Sequence, residues 1–242
     1  MTAPSAAPDV PGIDPEKIGS RTLGLLRDTV ASIEEKLQGY SSEYEKKYRE
    51  LSGRPNGVSS VTEIAGPITP LPVPYLWFDL MALGPFQLTA PGGPFLPHRV
   101  IRAGEDAFLV VALWRNPVSL LGGPSAAQIM APYTFRVRVH TVNLNTVSSG
   151  PAIAPVTNVF GGGNTNIVVF PLPTTPAPPD GDPRLVEAHV TMDVLGPGPG
   201  LPPFAGFATR WFQPDLQPPF LGQPGVLPGV LEEIPVRFMI YN

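Results

Sequence analysis

Apolar residues recur at alternating steps of three and four along the front of the chain, at Leu23, Leu26, Val30, Ile33, Leu37, Tyr40, Tyr44 and Leu51, with Lys47 the one break. That spacing predicts a long amphipathic helix with a heptad seam, Leu23, Val30, Leu37, Tyr44 and Leu51 at a, and Leu26, Ile33, Tyr40 and Lys47 at d. Arg27, Glu34, Lys36, Glu43 and Glu50 flank the stripe with charge. Its start is marked by Asp14-Pro15-Glu16, which supplies a capping acceptor, a proline whose missing amide costs nothing in the first turn, and an acid at the positive end of the dipole. Its stop is marked by Gly53 and Pro55. A helix over 14–53 would reach roughly 57 Å at 1.5 Å per residue. Gly24 and Gly39 each cost roughly 1 kcal/mol of helix propensity, so the helix depends on something packed against its stripe. That partner is either the chain's own β domain or another copy, and the sequence reading prefers another copy.

From residue 58 the period changes to two. "YTFRVRVHTVNLNTV" places Phe135, Val137 and Val139 on one face and Arg136, Arg138 and His140 on the other, then shifts its apolar phase to Val142 and Leu144, which predicts a bulge near Thr141. "RLVEAHVTMDVLG" alternates without a break, Val186 to Val194 against Glu187, His189, Thr191 and Asp193. Residues 107–114, "AFLVVALW", are apolar on both faces, as a strand covered on both sides would be. With "VSSVTEIAG", "PYLWFDLMAL", "FQLTA", "HRVIRAG", "NIVVFPL", "FAGFATRWFQ" and the terminal "IPVRFMIYN" they make about ten strands joined by connections too short for helical crossovers. The fold class expected is mainly β: an antiparallel β-sandwich or jelly-roll-like domain over 58–242, preceded by the helix over 14–53 and a flexible or partner-bound tail over 1–13. The last strand, if it lies at an edge, offers its backbone to another chain.

Composition sharpens this. Charged residues are only 15% against 43% hydrophobic, below the ~25% charge usual in soluble domains, so the surface is largely neutral or apolar. The 34 prolines and 25 glycines stiffen loops such as "PLPTTPAPPDGDP", "GPGPGLPPF" and "QPDLQPPFLGQPGVLPGV", whose Leu, Phe and Val side chains call for burial, either over the sandwich or between subunits. A net charge of -4 with no basic block argues against nucleic acid as a partner. With no cysteine there is neither disulfide nor thiolate chemistry. No apolar run reaches the ~20 residues of a membrane helix, and the first residues lack the pattern of a usual signal peptide. The expectation is a soluble chain, in the cytoplasm or in a cell-surface or extracellular assembly.

Candidate chemistry is sparse. His98, His140 and His189 are the only imidazoles; the last two come close if their strands pair, but no HExxH spacing surrounds them. Asp180 and Asp182 sit in a turn-like "PDGDP" that lacks the other ligands of a calcium loop. Gly161-Gly162-Gly163-Asn164 is followed by a strand rather than a helix, which suits a hairpin better than a phosphate cradle. No GxSxG elbow occurs, and Glu232 and Glu233 would point to opposite faces of a strand. Tyr75, Trp77, Trp114, Trp211 and Phe212 are possible platforms for a glycan, though Trp77 and Trp114 sit in strongly apolar strands.

The sequence therefore reads as a non-enzymatic structural protein with no catalytic residue, cofactor or metal. It is expected to assemble with itself into a filament, tube or shell. Leu26, Val30, Ile33, Leu37, Tyr40 and Tyr44 on the helix, and Phe220, Leu221, Val226 and Leu227 in the last apolar loop, are the expected contacts. The alternative is a carbohydrate- or protein-binding β-sandwich that stays monomeric or forms a small oligomer.

Overall fold

All nine residues of the strand Ala107–Arg115 are buried, because one face meets a second sheet and the other meets a helix. The computed structural model describes residues 10–52, 77–88, 93, 95–119, 123–179, 181–196, 205–208, 210–212 and 235–242. Its strands are β1 (Phe78–Leu88), β2 (Phe95–Pro97), β3 (Val100–Arg102), β4 (Ala107–Arg115), β5 (Thr134–Asn143), β6 (Ser148–Ser149), β7 (Val156–Val159), β8 (Thr165–Pro171), β9 (Arg184–Leu195), β10 (Ala205–Phe207), β11 (Arg210–Phe212) and β12 (Val236–Tyr241). One sheet runs β11-β1-β4-β8 with β2 also on β1; the other runs β3-β12-β9-β5-β6, with β10 on β9 and β7 on β5. The architecture is a β-sandwich with an N-terminal helix, α1 (Ser20–Ser52), laid on the first sheet. Pairing is antiparallel except for β1 with β11 and β3 with β12, which are parallel.

Period-two patterning explains the inner core. Leu80, Leu109, Val111, Val168 and Phe170 from the first sheet meet Phe135, Val137, Val186, Val190, Met192 and Phe238 from the second. The alternate residues of the first sheet, Met81, Leu83, Val110, Trp114 and Val169, face outward and would be wet without α1. They are covered by Leu26, Ile33 and Leu37, all buried, with Val30 and Leu25 packed beside them. The indole Nε1 of Trp114 donates to Ser41 Oγ at 2.7 Å, tying the helix to β4.

The helix seam is thus used within the chain, which corrects the expectation that Leu26, Val30, Ile33 and Leu37 face another copy. The covered line runs Leu26, Val30, Ile33, Leu37, Ser41 and bends away from the heptad register, as a straight helix of 3.6 residues per turn does on a sheet. The side chains of Tyr40 and Tyr44 lie outside the described residues. Asp14 does cap, accepting from Glu16 N at 3.2 Å, but it starts only a 3-10 turn, Pro15–Lys17. Ile18 is extended (φ -120°, ψ 136°), and the α-helix begins afresh beyond it. Ahead of the turn, Val10 and Ile13 pack on the same outer cluster, and Val169 N donates to Pro11 O at 2.9 Å. Gly12 (φ +96°) makes that approach possible, since a Cβ there would meet Val169 O at 2.1 Å.

Other expectations change for local reasons. The described parts of "PYLWFDLMAL" and "FQLTA" join in a single strand, β1, whose pairing with β4 slips between Leu83 and Phe86, at Gly84-Pro85, while the expected strand "VSSVTEIAG" lies outside the described residues. A short helix, α2 (Ala126–Met130), was not anticipated, although Ser125 and Gln128 form a complete capping box before it. The glycine run 161–163 is no hairpin: it carries the chain from β7 in one sheet to β8 in the other. That corner is held by Arg115, fully buried, whose guanidinium donates to Ala127 O, Phe160 O, Gly161 O and Gly163 O and lies 4.7 Å from the Phe160 ring centroid. Burial lowers Arg115 to about 10, still well above neutrality, so the group that binds these carbonyls is charged. β12 is no open edge, having β3 on one side and β9 on the other. The loop after β8 folds back on the sandwich: Leu172 and Thr174 are buried, with Leu172 N on Ala107 O and Thr174 Oγ1 on Glu105 O.

Candidate functional site

Both faces of the first sheet are covered, while among the described residues no element lies across the outer face of the second. Strand alternation decides what stands there. β5 presents Arg136, Arg138, His140 and Val142; β9 presents Leu185, Glu187, His189, Thr191 and Asp193; β12 presents Arg237, Met239 and Tyr241. The register sets Arg136 opposite Asp193, His140 opposite His189, and Glu187 between Val142 and Arg237. The pairing of the two histidines is the proximity that the sequence suggested for them.

Two carboxylates organise the polar part. Asp193 accepts from Arg136 Nη2 at 2.7 Å and from Arg138 Nη1 at 2.8 Å, and the Arg136 hydrogen bond holds its carboxyl below the usual carboxylate range. Glu187 accepts from Arg237 Nε at 2.7 Å and contacts His189 Nε2 at 2.8 Å; the Arg237 bond first, then His189, lowers it too. Each acid is ionised and engaged by arginine, a poor arrangement for a general acid, which needs a raised value. Among the described residues, no group of three or more His, Asp or Glu could hold a metal ion.

These depressed carboxyls carry a sign. An acid held below its unfolded value contributes stability that is present above that value, about pH 4, and lost as pH falls through the folded one. Urea midpoints measured from about pH 6 down to about pH 2 should therefore fall in the wild type. Asp193→Asn should flatten part of that fall, and identical slopes would mean that the pairs are too solvated to matter.

Beside the polar ladder lies an apolar row. Met239 is flanked by Val100 on β3 and Leu185 on β9, and Leu144 donates its N–H to Leu185 O at 2.9 Å just past the end of β5. Val100, Leu185, Leu144 and Tyr241 are 49%, 37%, 38% and 42% exposed. The turn that follows Leu144 ends on Val147, 86% exposed at φ +51°. A β-branched residue in that left-handed region costs roughly 1–2 kcal/mol, which glycine or asparagine would largely avoid. The phase shift at Val142 and Leu144 was the sequence signal for this row. Toward β9 the register of β5 is unbroken from Thr134↔Leu195 to Asn143↔Val186, so the apolar residues move to the outer face, while on the other side the register slips by two residues between Val137↔Val156 and Val142↔Ser149, beside Thr141.

The other sequence candidates are dispersed. Trp114 is buried beneath α1 and Trp77 packs on the inner core. Trp211 pairs by backbone with Ala82, and its side chain, like that of Phe212, lies outside the described residues. So do Tyr75, Asp180, Glu232, Glu233, Phe220, Leu221, Val226 and Leu227. No helix among the described residues is long and apolar enough to cross a membrane.

No family model matches the sequence, and no curated protein matches it. Among solved structures, the chain is similar to a beta-glucosidase from Listeria innocua in complex with gluconolactone, at 15% identity and a TM-score of 0.26. The likeness covers 54% of this chain and 16% of that one, and at this level it bears on neither fold nor activity.

Proposed function

We propose that this chain is a non-enzymatic structural protein, a β-sandwich subunit that associates with copies of itself through the outer face of its second sheet. The observation that carries this is that no described element covers that face, where an apolar row lies beside charges of both signs that are already paired within one copy. Covering the apolar row contributes about 25 cal/mol per Å², and pairing within the copy reduces what the charges lose on desolvation. The reading keeps self-association but moves the contact from the helix to the sheet, because the helix stripe is occupied. A two-fold, face-to-face contact closes as a dimer, so a filament, tube or shell requires a second contact. The sequence candidate for that contact is the apolar stretch with Phe220, Leu221, Val226 and Leu227. A glycan-binding module is less favoured, since Trp114 is fully buried and Trp77 is committed to the core.

Sedimentation velocity over about 5 to about 500 µM, beside negative-stain microscopy, tests the reading, because mass action makes association concentration-dependent. A mass rising to dimer or beyond is expected. A single 25.8 kDa species throughout would overturn it.

A further inference from the structure

Resting on that self-association reading, we infer that a second copy of this chain docks on the apolar row and that Val147 is its protruding, strained anchor. Among the described residues the valine is 86% exposed despite its positive φ. Strained residues persist where the surroundings over-determine them, and such sites cluster where a surface clamps a ligand. Here the turn is over-determined: Asn145 N donates to Asn143 Oδ1 at 3.0 Å, and Asn145 Oδ1 accepts from Leu185 N at 2.6 Å. Asn145 Nδ2 donates to Pro183 O at 3.1 Å, and the Thr146 and Ser148 hydroxyls meet at 2.7 Å. The side chain is therefore presented from a fixed frame, which lowers the ordering cost of a contact.

Charge selects the occupant. Two residues along the strands from the row stand Glu187 and its partner Arg237, and the Arg102–Glu105 pair lies at the β3 end. A field of neighbouring plus and minus charges steers neither a polyanion nor a polycation. Under a two-fold axis it complements itself, Glu187 and Arg237 of one copy meeting Arg237 and Glu187 of the other. The exposed apolar part is on the order of a few hundred Å², a patch size that on a monomer is often functional. That is below the ~800 Å² per partner of a stable complex, so the polar ladder of β5 and β9 must form the rim of the same contact.

Two variants test this. Val147→Asn relieves the backbone and removes the anchor, so it should raise the urea midpoint while weakening self-association about threefold or more. Leu185→Lys places a charge in the row and should weaken association at least about tenfold with near-wild-type circular dichroism. The inference is overturned if both variants associate like wild type, and equally if Val147→Asn lowers the midpoint. In those cases a wild type that still self-associates keeps the broader reading. A wild type that is monomeric at every concentration overturns both, and the face then belongs to a different partner.

Discussion

Leu26→Ala is expected to lower the stability of the entire sandwich by about 3 kcal/mol, as a shift of the urea midpoint that does not depend on protein concentration. Leu26 has no exposed surface and sits with Leu83, Val110 and Trp114 in the layer between α1 and the first sheet. Truncation leaves a void bounded by a sheet that cannot collapse into it, because β4 is held from behind by the inner core. The stronger pair Val30→Glu with Leu37→Glu, which would dissociate an inter-subunit seam and leave the domain folded, should instead unfold it, since a carboxylate would be forced into apolar surroundings. A folded domain with only its association lost would show that the helix detaches in solution, contrary to the arrangement described.

The second large effect is expected at the corner between the sheets. Arg115→Met fills much of the same volume but takes the donor from Gly161 O and Gly163 O, while Ala127 O keeps the Ala131 amide and Phe160 O keeps Asn166 Nδ2. Losing the charged donor costs about 1–3 kcal/mol at each of these two carbonyls, less what water recovers at the exposed glycines, so a net loss of roughly 2 kcal/mol is expected. Arg115→Lys keeps a charge but has no planar fork to span four acceptors, and should recover less than half of that loss. Hydrogen exchange of the amides over 160–164, beside equilibrium unfolding, reads both effects. A loss of less than about 1 kcal/mol for the methionine variant would show that the corner is held by the Phe135 and Phe160 ring contact instead.

Strand periodicity made the sandwich legible, since burial alternates along β5, β9 and β12 as their sequences do. The doubly apolar 107–114 run correctly announced cover on both sides. What covers it was not legible: a stripe wide enough for another helix is wide enough for a sheet, and nothing local separates Trp114 bound to Ser41, 73 residues away, from Trp114 in an ordinary core. The α1 boundary was missed because Asp14 caps a turn that Ile18 then interrupts. Most of the candidate face was also hidden. Val100, Leu185 and Met239 are far apart along the chain, and only the register of β3, β12 and β9 sets them in one row.

The Pro11 carbonyl bonded to Val169 closes one route by which copies could add. Among the described residues β8, with seven residues, is the longest strand at a rim, and its Val169 amide is occupied by the preceding chain while its outer face lies under α1. The remaining rims among the described residues are strands of two to four residues, β2, β3, β6, β7, β10 and β11. Ribbon-like growth by strand addition therefore has little backbone to template on, and stacking layer upon layer is the geometry left to a crowd of these molecules.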